Sequence, residues 1–213
     1  MRYRAVVFFC IAPILLGMTV SGMAQEYRDD TALALRYVER AREALDQGSL
    51  DRAEQILEAA RDFADVSSDA SYLLALVRMN QKRPAASILH AVKQARETAR
   101  WSMFTDHDAV LIEARMLLQL RSFSELLDLL SSAETTEKTA YYQLRAYAGL
   151  KNIDAYMDKL RFILSAYPQD TQAISFHLRH AATRLPYPGE QVLMDRIISA
   201  LPVLKQQDPS LSY

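Results

Sequence analysis

The chain has 213 residues, a length that suits one domain or a short array of repeats. Half of the residues are hydrophobic and only five are glycine, a composition typical of an all-helical protein. The formal net charge of -1 gives no electrostatic case for binding to nucleic acid or for charge-driven binding to a membrane.

The first residues have the three-part layout of a secretory signal. Arg2 and Arg4 form a short basic region, and a long apolar run follows them. Gly22 and Ala24 then supply the small residues that signal peptidase prefers. We therefore expect residues 1–24 to be a signal peptide cleaved after Ala24. The alternative is an uncleaved anchor in the inner membrane.

The single cysteine, Cys10, lies inside this predicted signal segment. The mature chain therefore has no cysteine, which excludes disulfides and thiol catalysis from it. An exported chain without cysteine fits an oxidising compartment such as the bacterial periplasm, which is the expected location. If the leader stays uncleaved, the chain is anchored in the inner membrane and faces the periplasm.

Four segments share one pattern of a helix, a short polar turn and a second helix. They begin at Arg36, Tyr72, Ala109 and Ala140. The predicted turns precede Leu50, Lys82, Phe123 and Ile153. This spacing of about 30–40 residues is typical of helical repeat arrays. Small residues recur within the units, and they allow two helix backbones to approach closely.

This pattern resembles the tetratricopeptide repeat family, whose unit is a pair of antiparallel helices in about 34 residues. The resemblance covers about 31–169 and implies an all-α, right-handed superhelix of helix pairs. The alternative is a helical bundle without repeats. The first unit matches best, through Tyr37, Ala41, Gly48, Ala53 and Ala60. Matches in later units are Ala114, Phe123, Ala133, Tyr147 and Pro168.

The sequence therefore predicts three parts. Residues 1–24 are the signal peptide, 25–168 are a tetratricopeptide-like array of about four helix pairs, and 169–213 hold an atypical capping helix pair and a loose tail. Repeat arrays need such a terminal element to cover the last exposed apolar face. A break marked by proline and glycine precedes the last helix, which we expect Pro202 to kink or end.

The motifs of nucleotide-binding and hydrolytic enzymes are not found in the sequence. The mature chain has only three glycines, Gly48, Gly149 and Gly189, and phosphate loops need clustered glycines. His177 and His180 lie three residues apart on a presumed helix, but no carboxylate lies within one helical turn of them. We therefore expect surface or partly packed histidines here instead of metal ligands.

The acidic segment 106–108, with the sequence Asp-His-Asp, precedes an apolar helical run. Aspartate is favoured at that place as an N-cap and by the helix dipole, so we expect a helix start there instead of a metal or acid–base cluster. Accordingly, the sequence predicts no enzyme activity, no cofactor and no metal. An enzyme whose acid–base residues form no known motif ranks last among the interpretations.

Tyrosines are dense in the last clear unit. Tyr147 and Tyr156 fall on core-type positions, where bulky aromatics fill space that alanine leaves in other units. Tyr141 falls on the groove-facing side of its helix, and tyrosine is favoured at protein interfaces. We therefore expect Tyr147 and Tyr156 in the core and Tyr141 in a binding surface.

In the tetratricopeptide family, the first helix of each unit lines a concave groove that commonly holds a peptide. By the resemblance, every unit of this chain contributes a cation to that surface. Arginine presents a planar fork that suits carboxylates. The alternative is that arginine is simply a good helix former on the solvated side. The implied groove-facing residues are Arg42, Arg78, Arg115, Lys138, Tyr141 and Arg145.

The resemblance therefore implies a non-catalytic scaffold or adaptor for protein–protein interaction in the bacterial cell envelope. Its partner is expected to be another envelope or periplasmic protein, bound through an acidic segment or a C-terminal carboxylate. No nucleic acid partner is expected, and membrane contact is expected only through an uncleaved leader. The alternative is a transport accessory protein that binds a small ligand or an anion in a pocket between its helices.

Overall fold

The computed structural model describes residues 31–181, 183 and 189–207. The chain divides into two compact units, Met1–Thr105 and Asp106–Tyr213. Unit 1 holds helix α1 at 31–46, α2 at Leu50–Ala60, a 3-10 turn at Ala64–Val66, α3 at Ser67–Asn80 and α4 at Ala85–Thr98. Unit 2 holds α5 at Asp106–Gln119, α6 at Phe123–Ser131, α7 at Glu137–Gly149, α8 at Ile153–Ala166, α9 at Thr171–Ala181 and α10 at Glu190–Gln207.

One turn geometry recurs between the two helices of each pair from α1 to α8. In every case a residue with left-handed backbone ends the first helix, and the next N–H donates to the carbonyl five residues earlier. This is the hydrogen-bond pattern of a Schellman C-cap. The bonds are Ser49 to Ala44 at 2.8 Å, Arg83 to Arg78 at 2.9 Å, Ser122 to Leu117 at 2.9 Å and Asn152 to Tyr147 at 3.0 Å. The left-handed residues are Gly48, Lys82, Arg121 and Lys151.

The turn predicted before Lys82 is wrong by three residues. Lys82 is itself the left-handed residue, with φ of 57°, and α4 begins only at Ala85 after an extended Pro84. The first unit marks the same position with Gly48, which adopts positive φ without steric cost. A lysine gives no such signal, so the sequence pattern places this turn imprecisely.

Small side chains allow close helix packing in unit 1. The small residues of α2 at the helix interface, Ala53 and Ala60, are completely buried, as is Leu57 between them. In α1, Ala34 and Ala41 are likewise at 0% exposure. Because alanine occupies little volume, neighbouring helices approach closely without leaving voids between them.

A buried carboxylate in α3 anchors the segment that follows α4. Asp69 is completely buried, and its two oxygens accept three backbone N–H groups. Oδ2 accepts from Ser102 at 2.9 Å, and Oδ1 accepts from Met103 at 3.2 Å and Phe104 at 3.0 Å. Residues 102–104 belong to no helix, so their backbone N–H groups have no partners within regular secondary structure. The Asp69 carboxylate supplies the acceptors for them.

Aromatic side chains pack on the same segment. Tyr72 lies against Phe104 with ring centroids 4.7 Å apart, and Trp101 meets Tyr72 edge-on at 6.3 Å. Tyr72 stands in α3 one helical turn after Asp69, so polar and aromatic contacts hold the segment to one face of α3.

Unit 2 has a continuous apolar core. Tyr156 is 1% exposed and belongs to it, and Tyr147 packs against it half-buried, so the expectation for both tyrosines is confirmed. Helix α10 runs through Pro202 to Gln207, so of the two expected effects of this proline, a kink or an end, the end is wrong. The remaining buried members are Ala140, Leu144, Met157, Leu160, Ile163, Leu164, Ala173, Ile174, Leu193 and Ile197.

Some predictions fall beyond the described residues. They are the signal segment at 1–24 with Cys10, most of the break before Gly189, and the tail after Gln207. Within the described ranges, no helix is both long enough and apolar enough to span a bilayer.

We predict that Asp69→Ala lowers the free energy of unfolding of unit 1 by about 2–4 kcal/mol, because three buried N–H groups lose a charged acceptor. Urea unfolding followed by the fluorescence of Trp101, the one tryptophan of the chain, measures this change. The exposed Asp62→Ala serves as control and is expected to unfold with the wild-type midpoint. Equal midpoints for the two variants would contradict the anchoring role.

Asp170 is buried and caps α9, because its Oδ1 accepts from the Ala173 N–H at 2.9 Å. The other carboxylate oxygen, Oδ2, has no hydrogen-bond partner. Burial raises the pKa of the Asp170 carboxyl above its usual 3.8. Its contribution to stability is therefore complete below that usual value and is lost as the pH rises through the folded-state pKa.

We predict that Asp170→Asn, which keeps the capping oxygen but removes the buried charge, raises the free energy of unfolding at pH 7. Asp170→Ala, which removes the cap, lowers it by about 1 kcal/mol. The advantage of the asparagine variant should shrink as the pH falls toward 4. Urea unfolding of both variants at pH 7 and at pH 4.5 checks this, and a pH-independent difference would argue against the buried charge as its cause.

Candidate functional site

The predicted cations of unit 1 have different environments. Arg42 is exposed on α1. Arg78 on α3 forms salt bridges with two carboxylates of α2, at 3.6 Å to Glu54 and 3.2 Å to Glu58. Its Nη1 also donates to the carbonyl of Ser87 in α4 at 3.4 Å. Arg78 therefore links three helices and has intramolecular anionic partners.

The predicted residues of unit 2 lie on α5 and α7. Arg115 and Lys138 are exposed, whereas Tyr141 and Arg145 are half-buried one helical turn apart. Burial raises the pKa of the neighbouring Tyr142 phenol above its usual 10.0, although the Arg115 and Arg145 guanidinium groups oppose this shift. Tyr142 therefore remains a neutral hydrogen-bonding group beside these cations.

Arg145 lies against two aromatic rings that also contact each other. Its Cζ lies 5.7 Å from the Tyr141 ring centroid and 5.6 Å from that of Phe176 in α9. The two rings are 6.2 Å apart and nearly perpendicular. Such cation–π contacts are favourable by about 0.5–2 kcal/mol and restrict the guanidinium without using its N–H donors. Among the described residues, no carboxylate forms an ion pair with Arg145.

A cavity of about 520 Å³ opens beside this guanidinium, entirely within unit 2. The turn after α5, the end of α7 and one face of α9 form its walls. Its size is within the usual range for binding sites of small molecules and peptide side chains. The lining residues are Leu118, Gln119, Arg121, Phe123, Arg145, Ala148, Gly149, Phe176 and His180.

A second guanidinium belongs to the same wall. Arg121 is the left-handed residue of the turn between α5 and α6, and it forms no ion pair within the described part of the chain. Leu120 and Leu150, adjacent in sequence to this wall, are 42% and 43% exposed. The site therefore combines two arginines with apolar surroundings, a combination that suits an anionic group carried by an apolar body.

Gly149 allows the cavity wall to form. A Cβ at this position would overlap the ring of Phe123, which is the first residue of α6. The end of α7 therefore packs directly on that ring, and both residues line the cavity. In the sequence, this glycine is only too isolated to form a phosphate loop, and nothing there indicates its contact with Phe123.

The two histidines of α9 have different environments, and only His180 agrees with the expectation of surface or partly packed histidines. His180 is half-buried in the cavity wall, and its ring stacks parallel to Phe176 with centroids 5.8 Å apart. His177 is completely buried, with its Nε2 3.3 Å from Oε1 of Glu190 in α10. The expectation is wrong for His177 because its carboxylate partner comes from the next helix, which sequence spacing along α9 cannot reveal.

Groups suited to a metal ion are not found in the described ranges, where no cluster of three or more His, Cys, Asp and Glu residues occurs. The acidic segment 106–108 forms the first turn of α5, with Asp106 and Asp108 at the positive end of the helix dipole. This position agrees with the expected helix start.

Comparisons with known proteins establish the class of this fold. Among the solved structures that match it are the MamA RS-1 ArsTM double mutant, with a TM-score of 0.67 and 12% identity, and MamA 41-end from Desulfovibrio magneticus RS-1, with 0.66 and 13%. They cover 83% and 82% of this chain, and 97% of each MamA chain is matched. The protein is an all-α, tetratricopeptide-like solenoid of helix pairs, and the predicted fold class is confirmed.

The sequence comparisons are less informative. No family model matches the chain. An uncharacterized protein from Treponema pallidum (strain Nichols) is 25% identical over 188 residues, a match that covers 86% of this chain. The match covers 23% of that relative, so the chain spans about a quarter of the relative's length.

We predict that Gly149→Ala lowers the free energy of unfolding of unit 2 by about 1–3 kcal/mol, because the added methyl group displaces the Phe123 ring. Phe123→Leu in the same chain removes the overlapping ring atoms and should abolish most of the effect. Urea unfolding of both single variants and the double variant by near-UV circular dichroism measures this coupling. Additive effects of the two substitutions would show that the contact is unimportant.

Proposed function

We propose that this protein is a non-catalytic scaffold for protein–protein interaction, and that its cavity at Arg145 binds an anionic segment of a partner. The observation that carries this proposal is a guanidinium packed against two aromatic rings beside a cavity, with no carboxylate among the described residues paired to it. A half-buried cation restricted in its geometry loses less entropy when an anion binds to it.

The chemistry of the walls supports an acidic peptide segment or a C-terminal carboxylate. Tyr141 and Phe176 flank Arg145, so the N–H groups along its edge remain available for bidentate binding. Arg121 supplies a second cation, and Phe123 supplies apolar area for a neighbouring side chain of the partner. These features are typical of interfaces in which aromatic and arginine residues contribute most of the binding energy.

The other predicted cations are expected to contribute unequally to the binding of a partner. Arg42 in unit 1 and Lys138 in unit 2 are exposed without ion pairs in the described residues, so each can contact an anionic partner at little cost. Arg78 must exchange its contacts with Glu54 and Glu58 for those of a partner, which makes it a weaker contributor. Arg115 is exposed and completes the set.

We propose the bacterial cell envelope as the place of action, with a periplasmic protein and an envelope partner. The basic, apolar and small-residue layout of 1–24 supports export, and the absence of cysteine after Cys10 agrees with an oxidising compartment. An uncleaved leader would instead hold the protein at the inner membrane, facing the periplasm.

A second candidate function is the binding of a small anionic ligand, as in a transport accessory protein. The cavity of about 520 Å³ favours it, because this volume accommodates a free metabolite as well as a peptide residue. The two functions differ in what the protein binds. A scaffold binds a polypeptide that can be crosslinked to it, whereas a transport accessory protein copurifies with a small molecule.

We predict that Arg145→Glu abolishes partner capture. A photoreactive amino acid at the exposed Leu150 position, beside the cavity, should crosslink one discrete envelope protein in living cells. Reversing the charge at Arg145 should reduce that product about tenfold or more, since a charge-assisted bond becomes a repulsion. Arg179→Glu makes the same charge change at an exposed position of α9 that does not line the cavity, and it should leave the product unchanged.

The outcomes separate the hypotheses. A product retained in the Arg145→Glu variant keeps the scaffold but excludes this cavity as its binding site. If no polypeptide is trapped, native mass spectrometry of the purified protein tests for a bound small anion, and a mass increment absent from the Arg145→Glu variant would support the second candidate.

A further inference from the structure

Three polar side chains meet inside unit 2, one from each of its last three helices. Tyr156 of α8, His177 of α9 and Glu190 of α10 are 1%, 0% and 2% exposed. The Tyr156 hydroxyl lies 2.7 Å from Nδ1 of His177, which is hydrogen-bond distance. On the other side of the ring, Nε2 lies 3.3 Å from Oε1 of Glu190, without the alignment of a hydrogen bond.

This buried network is not explained by core stability. Apolar residues surround it, among them Leu160, Ile174 and Ile197. Removing a carboxylate and an imidazole from water is costly, and apolar replacements of similar volume often stabilise a core better. What such groups supply instead is one defined geometry, since a buried polar atom tolerates little displacement from its partner.

The buried network includes a residue of α9, the helix that forms one wall of the cavity. Phe176 and His180 of α9 are one turn apart and both line the cavity. His177 follows Phe176 directly, and successive residues of an α-helix differ by about 100° around the axis. The anchoring of His177 therefore determines which direction the other two rings face. At a side-chain radius of about 5 Å, a rotation of about 10° moves a ring by about 1 Å.

The network also touches the cavity wall directly. The ring of Tyr156, whose hydroxyl meets His177, lies against the ring of His180 with centroids 5.5 Å apart. His180 in turn stacks on Phe176, and Phe176 covers the guanidinium of Arg145. A continuous series of contacts therefore connects the start of α10 with the proposed anion-binding group.

We propose that Glu190 is a positioning residue for the cavity: through His177 it fixes the rotation of α9 and so holds Phe176 and His180 in the wall beside Arg145. The consequence for binding rests on the proposed function, because it assumes that an anion binds at Arg145. The positioning of the rings does not require a ligand, so it can be tested separately.

The first experiment needs no ligand. In the full chain with isotope-labelled Phe and His, Glu190→Gln should shift the ring resonances of Phe176 and His180 while the thermal midpoint of unfolding changes by only a few degrees. Val192→Ala, at a position of α10 that is 73% exposed, is the matched control and should leave these resonances in place. Unchanged ring resonances in Glu190→Gln would overturn the proposal, because a purely structural residue alters the midpoint alone.

The second experiment measures affinity with a fluorescein-labelled tetrapeptide, Glu-Asp-Leu-Phe, that carries a free C-terminal carboxylate. Glu190→Gln should weaken binding by about 2- to 30-fold, the range found for residues that act through others. Should that variant fail to fold, Tyr156→Phe, which removes a single oxygen from the network, undergoes the same two measurements with the same expectation.

The two readouts can fail separately. If the wild-type protein does not bind the peptide but the ring resonances move, peptide binding at the cavity is wrong and the positioning of its wall stands. If the wild-type protein binds and the ring resonances move, yet the affinity of Glu190→Gln is unchanged, the link between positioning and binding is overturned.

Discussion

The recurring turn between paired helices is the constraint on which both the fold and the candidate site depend. Each of the turns at Gly48, Lys82, Arg121 and Lys151 reverses the chain within a few residues through the same bond to the carbonyl five residues back. The cavity in unit 2 is formed at one of these reversals, because the turn at Arg121 and the end of α7 at Gly149 supply two of its walls. The repeat geometry therefore builds the site.

Residues that the sequence register treats as equivalent have opposite electrostatic situations in the two units. In unit 1, Arg78 is bound by two carboxylates of α2, so its charge contributes to holding helices together. In unit 2, Arg145 is bound by aromatic faces, which hold the guanidinium without neutralising it. The turn bonds show that the two arginines do not share a repeat position, because the carbonyl of Arg78 accepts from Arg83 as that of Tyr147, two residues after Arg145, accepts from Asn152. The side chains of the neighbouring helix decide whether each charge is paired within the chain.

The sequence predicts the fold class well and the site only in part, for physical reasons. Periodic apolar and small residues reveal helix pairs, and Gly48 reveals one turn, but Lys82 adopts the same backbone without any signature in its side chain. Tyr141 and Arg145 were found because they follow the register of one helix. Phe176, His180 and the pairing of His177 with Glu190 arise from contacts between helices, and spacing along a single helix contains no information about them.

The left-handed turns also combine a cost in stability with a gain in charge at the same residues. An L-residue other than glycine carries a cost of about 1–2 kcal/mol in this conformation, and Lys82, Arg121 and Lys151 all carry it. Glycine at Arg121 would relieve that strain, yet it would delete a cation from the cavity wall. Under the proposed function, a variant of unit 2 made more stable at Arg121 is a poorer binder, so selection for heat resistance alone would remove the proposed site.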